Sequence, residues 1–192
     1  IDRGAQSKQV IDLLVKRPLN GFENVYLRGN HEHSILEFLK DPIATAAWLS
    51  YGGQVALMSY GVGLGRVMSQ QNVEVLRDEL EAKLPPEHLD FFRSCQNLYT
   101  EGSYCFAHAG VRPGVPMDEQ KPEDLLWIRE EFTRSRVCHS HIVVHGHTIS
   151  EEVEWRPNRI GIDTGAYESG LLTALVLEGE TQRLLQTGRI NQ

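Results

Sequence analysis

The sequence predicts a layered α/β fold with two sheets, and two features of its apolar pattern carry that prediction. In the first half, residues 6–17 place Val10, Leu13 and Leu14 on one face of a helix, and the short apolar run 25–27 is typical of a buried strand. In the C-terminal third, several short strand-like runs follow one another. Helices that alternate with strands early, followed by an antiparallel run late, favour layers of helices around two sheets.

The remaining elements follow from the same periodicities. Further helices are predicted over residues 33–39, 70–84, 86–92 and 122–132. A hairpin is predicted over 97–107, and the late strands are predicted over 142–144, 152–155, 159–162, 171–177 and 183–187. The glycine-rich run 61–66 has no strand-to-helix unit around it, so it is interpreted as a loop and not as a dinucleotide fingerprint.

Composition predicts an ordinary globular protein with one domain over residues 1–192. Hydrophobic residues make up 41% of the chain and charged residues 23%, which is enough apolar material for a buried core. No apolar run approaches the ~18 residues of a membrane span, and the net charge of -7 argues against a nucleic-acid backbone as the main partner. Three widely spaced cysteines without a CxxC pair indicate reduced thiols and a cytoplasmic location.

Four short segments carry side chains suited to metal and phosphate chemistry: Asp2-Arg3-Gly4, Gly29-Asn30-His31-Glu32, His108-Ala109-Gly110 and His145-Gly146-His147-Thr148. The last three each follow a predicted strand, and the C-terminal ends of sheet strands are where α/β proteins place their sites. Imidazole, carboxamide and carboxylate groups at such positions are good ligands for Zn, Mn or Fe.

The HGH segment presents a choice between two histidines. In a continuing strand, His145 and His147 would point to opposite faces, so only one would bind a given metal unless the strand has ended and the backbone turns. A rival interpretation is a small structural zinc site built from His139, His141, His145 and His147, although no cysteine pair or i, i+4 spacing accompanies these histidines.

Together, the four segments resemble the signature of the phosphoprotein phosphatase branch of the calcineurin-like metallophosphoesterases. That signature reads GDxHG, GDxxDRG, GNHE, a single His followed by Gly or Ala-Gly, and GHT, and the chain matches it from DRG onward. The stretches HAGVRPG, DLLWIREEF, HGHT and RPNRIGIDTGAY also resemble the bacterial subgroup, which includes serine/threonine protein phosphatases and symmetrical diadenosine tetraphosphate hydrolases. The resemblance implies the two-sheet αββα sandwich of the metallophosphoesterases, without its first strand–helix unit.

The resemblance also implies two divalent metal ions, which would be Mn, Fe or Zn. Asn30, His108 and His147 match ligands of one of these metals. His147 is chosen because it is the histidine of GHT, and His145 stays a further candidate.

The catalytic roles implied by the resemblance fall on other residues. His31 matches the histidine that protonates the leaving oxygen, and Asp2 matches the carboxylate that orients it. Arg3 and Arg129 match phosphate-binding arginines, and Tyr167 lies where the family has a loop beside the site. The implied reaction is hydrolysis of a phosphomonoester by a hydroxide that bridges two metals. Without a catalyst, this hydrolysis is one of the slowest reactions in water.

The first two motifs of the signature do not occur in this sequence. We expect an N-terminal portion in the working protein to supply them; the alternative is a shortened, inactive form. Three functions stay open: a protein serine/threonine phosphatase as the leading one, a symmetrical diadenosine tetraphosphate hydrolase, and a catalytically dead scaffold that binds phosphate-bearing partners. The expected partner is a phosphorylated protein or a small phosphoester, and neither a nucleic acid nor a membrane.

Three other residues are assigned structural roles from the pattern alone. Trp48 and Trp127 are predicted to pack in the core, because large aromatic side chains at helical spacing are usually buried. His88 is predicted to face solvent.

Overall fold

A computed structural model describes residues 1–64 and 70–188. The chain divides into two compact units, Ile1–Cys95 and Gln96–Gln192, which we call unit 1 and unit 2. Within the described ranges, unit 1 contains helices and no β-ladder, and the strands all belong to unit 2. No helix in those ranges combines the length and the apolar character needed to cross a membrane.

The described part of unit 1 contains five α-helices and one short 3-10 segment. These are α1 (Ser7–Lys16), α2 (Asn30–Lys40), the 3-10 segment Ala46–Tyr51, α3 (Gly53–Ser59), α4 (Gln70–Lys83) and α5 (Pro86–Ser94). The predicted helices in this half are therefore confirmed, with α2 beginning three residues earlier than its apolar pattern indicated. Pro86 opens α5 at the first helical position, where its missing N–H removes no hydrogen bond.

The apolar faces of these helices meet in one core. The largest fully buried apolar side chains described in unit 1 are Ile11, Ile35, Phe38, Trp48, Leu57, Leu80 and Phe92. Each contributes roughly 1.5–3 kcal/mol by leaving water. The rings of Phe38 and Trp48 lie 5.2 Å apart between centroids, so the 3-10 segment is packed directly against α2.

The strand predicted over residues 25–27 is not formed. Val25 and Tyr26 have no regular secondary structure and Leu27 makes only an isolated β-bridge, and all three residues are half-buried. Side-chain contacts hold the segment, because the Tyr26 hydroxyl donates to the carbonyl of Leu14 at 3.3 Å and the Tyr26 ring meets Phe91 edge-on. A short apolar run becomes a strand only where a neighbouring strand completes its hydrogen bonds.

Unit 2 contains two sheets. Its strands are β1 (Leu98–Glu101), β2 (Tyr104–Ala107), β3 (Ile142–His145), β4 (Glu154–Arg156), β5 (Arg159–Gly161), β6 (Thr173–Glu178) and β7 (Thr181–Gln186). The first five form a mixed sheet in the order β1-β2-β3-β5-β4, and β6 pairs with β7 in a separate antiparallel ribbon. The predicted α/β class with two sheets is confirmed, and so are the hairpin and the late strands, with shifts of one or two residues at their ends.

The centre of the five-stranded sheet is parallel, so the antiparallel run predicted for the late strands is wrong for β3 and β5; β4 with β5, and β6 with β7, do pair antiparallel. β2 pairs with β3 in the register Phe106 to Val144, and β3 pairs with β5 in the register Val144 to Ile160. The C-terminal ends of these three strands therefore lie at one edge of the sheet, which we call the carboxyl edge. Residues that follow the strands meet there.

The helix predicted over 122–132 is interrupted. It forms as α6 (Pro122–Trp127) and α7 (Glu130–Thr133), because Ile128 has an extended backbone with ψ 142° and Arg129 is also outside the helical region. Leu125, Ile128 and Phe132 are nevertheless all buried in one cluster. Periodicity could not distinguish one helix from two short ones that bury the same face.

Two short elements complete unit 2, a 3-10 turn at Met117–Glu119 and α8 (Ala166–Ser169). In unit 1, residues 61–64 of the glycine-rich run form no helix or strand, and the remaining residues of that run, 65 and 66, lie outside the described ranges.

Candidate functional site

In unit 1, Asp2 and His31 form a hydrogen-bonded pair. Asp2 Oδ2 lies 2.5 Å from Nδ1 of His31, and the Asp2 side chain is fully buried whereas that of His31 is 14% exposed. The edge of the His31 ring packs against Tyr51, with 5.8 Å between centroids. Because the carboxylate occupies Nδ1, Nε2 is the ring atom that remains to exchange a proton with another molecule.

Two further residues fix the Asp2 carboxylate. The indole N–H of Trp48 donates to the same Oδ2 at 2.8 Å. Gly52 packs so closely that an added Cβ would lie no more than 2.7 Å from any of the three carboxylate atoms, and its φ of +147° also favours glycine. Trp48 is in the core, as predicted, but its contact with Asp2 and the role of Gly52 were not predicted.

The backbone at Asp2 is strained. Its φ is +99°, a region that non-glycine residues rarely occupy and that costs roughly 1–3 kcal/mol. Ser7 stabilises the bend that follows, since it accepts from the Asp2 N–H at 3.0 Å and donates to the Gly4 carbonyl at 2.9 Å. Arg3 lies on this bend with its side chain exposed. Strain of this kind concentrates at functional sites.

Asn30 and His31 lie in the first turn of α2. The Gly29 N–H donates to the Glu32 carboxylate at 2.8 Å, a capping contact that fixes this turn. Asn30 is buried, and its carbonyl accepts from the Ser34 hydroxyl at 2.8 Å. A helix start, and not a strand end, therefore positions these two residues.

In unit 2, the carboxyl edge brings His108 and His147 together. Nε2 of His108 lies 3.2 Å from Nδ1 of His147, and the ring centroids are 5.0 Å apart. His108 follows β2 and His147 follows β3, so the parallel pairing of those two strands creates the contact. The sequence-based expectation that strand ends converge is confirmed for this pair.

A tight turn at His147 separates this histidine from the strand that contains His145. β3 ends at His145, and His147 adopts the left-handed region with φ +63°. The Thr148 N–H donates to the Gly146 carbonyl at 2.7 Å, and the Gly146 N–H donates to the His108 carbonyl at 2.9 Å. The strand has ended before His147, so the alternation of a strand does not govern its direction.

His145 lies within the sheet and packs against other parts of unit 2. It is buried, its ring meets the Phe132 ring edge-on at 5.0 Å, and its Nδ1 lies 3.1 Å from the Gly146 carbonyl oxygen. Burial lowers the pKa of His145 below that of an ordinary histidine. These contacts are those of a histidine packed in the core.

Arg129 and Trp127 lie beside His147. The Arg129 guanidinium donates to the His147 carbonyl at 3.4 Å, and the Trp127 ring meets the His147 ring edge-on at 6.3 Å. Trp127 is 42% exposed, so its predicted place in the core is wrong. Tyr167 lies on α8 with half of its surface exposed.

Asp163 is a residue of the carboxyl edge that the motifs did not single out. It follows β5, and its Oδ1 accepts from the Gly165 N–H at 3.0 Å. Its side chain also lies close to the HGH segment, because its Oδ2 would be only 3.8 Å from a Cβ added to Gly146. Its position two residues after an apolar strand is the same sequence signal that pointed to the histidines.

The His108–His147 geometry suits a shared metal ion. Two nitrogen ligands of one ion at about 2.0–2.2 Å lie about 3.0–3.4 Å apart, which matches the 3.2 Å separation. Among residues 1–64 and 70–188, no three His, Cys, Asp or Glu side chains converge in a way that could hold a metal ion. The rival four-histidine zinc cluster therefore has no support among these residues.

The chain is similar to two proteins named as tetraphosphatases. No protein-family model matches it. One curated relative is the asymmetrical bis(5'-nucleosyl)-tetraphosphatase PrpE of Anoxybacillus flavithermus (strain DSM 21510 / WK1). It is 23% identical over an alignment of length 192, and this alignment covers 91% of this chain and 71% of the relative. The crystal structure of a candidate diadenosine tetraphosphatase superposes on 100% of this chain and 78% of its own, with a TM-score of 0.67 and 19% identity.

These comparisons act at different levels. The structural likeness shows the mixed α/β fold with two sheets. The name of the curated relative is that of an enzyme, which supports the prediction of an enzyme over that of a structural protein. The same name supports the metallophosphoesterase superfamily that the motifs resemble, without favouring its protein phosphatases.

Proposed function

We propose that this protein hydrolyses phosphate esters or phosphate anhydrides with bound divalent metal ions. The Asp2–His31 pair carries the proposal, because a buried carboxylate that holds one nitrogen of a partly exposed imidazole is the arrangement of an oriented general acid. The strained backbone at Asp2 supports a functional role for the pair. Two relatives named as tetraphosphatases support the same reaction type.

The proposed proton transfer uses the atoms of this pair. His31 gives the proton on Nε2 to the departing oxygen, while Asp2 holds Nδ1 and stabilises the charged ring before the transfer. The Trp48 N–H keeps the carboxylate in place. We assign the phosphoryl oxygens to Arg3 and Arg129, because a guanidinium binds two oxygens of one phosphate in parallel.

The proposed metal ligands are those that the resemblance implies, Asn30, His108 and His147. The separation of the two histidine nitrogens supports their part in this assignment. Bound divalent ions would supply an activated water molecule and neutralise phosphoryl charge. Mn, Fe and Zn all accept mixed nitrogen and oxygen ligands.

For the substrate we propose a dinucleoside oligophosphate, since both relatives are named for tetraphosphates of nucleosides or adenosine. Hydrolysis of diadenosine tetraphosphate at the central anhydride gives two ADP, whereas off-centre hydrolysis gives ATP and AMP. The motifs resemble symmetrical hydrolases, but the curated relative is named as asymmetrical, so the products decide between the two modes.

A phosphoserine or phosphothreonine side chain is the second candidate substrate. The order of the segments DRG, GNHE, HAG and GHT favours it, because that order resembles the phosphoprotein phosphatases. Protein phosphatase activity stays a prediction.

A substrate panel with product analysis tests the proposal. The protein is incubated with Mn²⁺ and either diadenosine tetraphosphate or a phosphoserine peptide, and the products are separated by chromatography. We expect turnover of the dinucleotide that stops with EDTA and returns with Mn²⁺. Turnover of the peptide alone would favour the second candidate. Inactivity of the metal-loaded protein toward both, and toward p-nitrophenyl phosphate, would favour the dead scaffold.

A further inference from the structure

Unit 2 contains a cleft rich in arginine that the proposed function does not use. It has a volume of about 510 Å³, and we call it the arginine cleft. Its lining comes from the end of α7, the segment that follows it and the β4–β5 hairpin, and includes Arg134, Ser135, Arg136, Arg156, Asn158 and Arg159. The lining holds four guanidinium groups and no carboxylate.

The cleft lies at the edge of the sheet opposite the carboxyl edge. Arg159 is the first residue of β5, whereas Asp163 follows the end of that strand. The segment 134–138 precedes β3, whereas His147 follows it. The cleft is therefore distinct from the His108–His147 pair.

Hydrogen bonds of one buried residue, Asn158, connect the walls of the cleft. The Asn158 amide donates to the carbonyls of Ser135 and Val137 at 3.2 and 2.9 Å, which ties the segment after α7 to the β4–β5 hairpin. The backbone carbonyl of Asn158 accepts from the Val143 N–H at 3.1 Å, so the hairpin is also fixed to β3. These contacts hold the walls of the cleft together.

Arg159 gives the cleft a buried cation. Its side chain is 4% exposed, its Nη2 donates to Glu154 at 2.8 Å, and its guanidinium lies 5.9 Å from the centroid of the Phe132 ring. Its Nε is buried and has no hydrogen-bond partner among the described residues. The Arg159 guanidinium therefore has hydrogen-bonding capacity that Glu154 does not use up.

The charge of the cleft remains positive after its ion pairs are counted. Glu154 pairs with both Arg156 and Arg159, and Glu130 pairs with Arg134 at 3.1 Å. Four guanidinium groups against two carboxylates leave an excess of two positive charges, on a chain whose net charge is -7. Such a local reversal of sign favours a multiply charged anion.

We infer that the arginine cleft binds an oligophosphate, an anion with two or more linked phosphoryl groups. Guanidinium groups bind phosphoryl oxygens through paired, charge-assisted hydrogen bonds. The lining contains no aromatic side chain on which a base could stack. The cleft therefore recognises the phosphate chain and not the nucleoside, and inorganic pyrophosphate and the diphosphate of ADP bind alike.

Calorimetric titration of the protein with pyrophosphate, ADP and adenosine tests this inference. The His108→Ala variant is titrated in parallel, so that binding at the carboxyl edge is separated from binding in the cleft. We expect pyrophosphate and ADP to bind that variant with similar affinity, and adenosine not to bind. Arg136→Gln combined with Arg156→Gln should weaken pyrophosphate binding by about tenfold or more, because each removes a charged hydrogen-bond donor.

The control is Arg183→Gln, which removes an exposed guanidinium from β7 outside the cleft and should leave affinity unchanged. Because Arg136 and Arg156 are both exposed, their replacement should preserve the fold. Pyrophosphate binding that survives the double substitution, or that disappears in His108→Ala, would overturn the inference. So would ADP binding much tighter than pyrophosphate binding. None of these results depends on whether the protein is catalytically active.

Discussion

Asp2 and His31 are 29 positions apart in the sequence, yet the carboxylate of one lies 2.5 Å from Nδ1 of the other. A strained bend at Asp2 and the first turn of α2 bring them together. The carboxylate holds the His31 ring in one orientation and leaves Nε2 to exchange a proton.

Replacing Asp2 by Asn tests the orienting role directly. The amide keeps the size of the carboxylate but loses its charge, so the charged imidazole is no longer stabilised. We expect kcat to fall by about 10²-fold, within the usual contribution of acid–base catalysis. Steady-state kinetics at saturating Mn²⁺ provide the measurement. Asp12→Asn, which changes a carboxylate on α1, should retain wild-type kcat; equal activity in both variants would contradict the role of Asp2.

Trp48→Phe should separate packing from positioning. The variant keeps an aromatic ring in the core but removes the N–H that donates to Asp2 at 2.8 Å. We expect kcat to fall by about tenfold with little change in KM, since a lost hydrogen bond to a charged group is worth about 1.5–3 kcal/mol. Trp155→Phe, at an exposed tryptophan of β4, is the matched control and should not alter kcat. An unchanged kcat in Trp48→Phe would show that the indole N–H is dispensable.

Gly52→Ala should damage both stability and activity. The new Cβ would collide with the Asp2 carboxylate, and the φ of +147° is strained for alanine. We expect the free energy of unfolding to fall by about 2–4 kcal/mol and kcat to fall with it. Denaturant unfolding and kinetics measure the two effects.

Gly21→Ala is the control for that substitution. Gly21 also has a positive φ, +81°, but an added Cβ would meet nothing within 4 Å. It should cost about 1 kcal/mol and leave kcat intact. If the two variants behaved alike, the close packing of Gly52 on Asp2 would have no functional meaning.

His88 should make unit 1 less stable in acid. The prediction that it faces solvent is wrong: it is fully buried, its Nδ1 lies 2.9 Å from the Tyr60 hydroxyl, and its Nε2 lies 3.4 Å from Asp12. Burial lowers the pKa of His88 and outweighs the opposing effect of Asp12. The unfolded chain therefore takes up a proton below about pH 6.5 that the folded chain does not.

The corresponding stability is present above about pH 6.5 and is lost as the pH falls toward the lowered pKa of His88. Calorimetric Tm values between about pH 8 and about pH 5 should fall less steeply in His88→Gln than in the wild type. His141→Gln, at a partly exposed histidine, should keep the wild-type slope. Identical slopes for wild type and His88→Gln would exclude this residue as a source of acid sensitivity.

The parts of the fold that could be predicted from sequence are those that local periodicity determines. α1, α4 and the hairpin of β1 and β2 each carry their own apolar pattern, and the ends of β2 and β3 marked His108 and His147. The break at Ile128 and the failure of residues 25–27 to form a strand could not be predicted, because both depend on what packs or pairs with them.

The residues that surround the candidate general acid could not be predicted from the sequence either. Trp48 looked like a core residue and is one, but only the fold shows that its N–H meets Asp2. The close packing of Gly52 on the Asp2 carboxylate likewise follows only from the fold. Side-chain contacts between distant segments leave no periodic signal.

The account is tested most directly by the leaving-group dependence of His31→Ala. The loss of kcat/KM is measured with phenyl phosphate and with p-nitrophenyl phosphate. The p-nitrophenolate leaving group is the more stable anion, so its departure depends less on a general acid. If His31 is the general acid, the loss for phenyl phosphate should exceed that for p-nitrophenyl phosphate by at least about tenfold, with metal content unchanged. Equal losses for the two esters would contradict proton donation by His31.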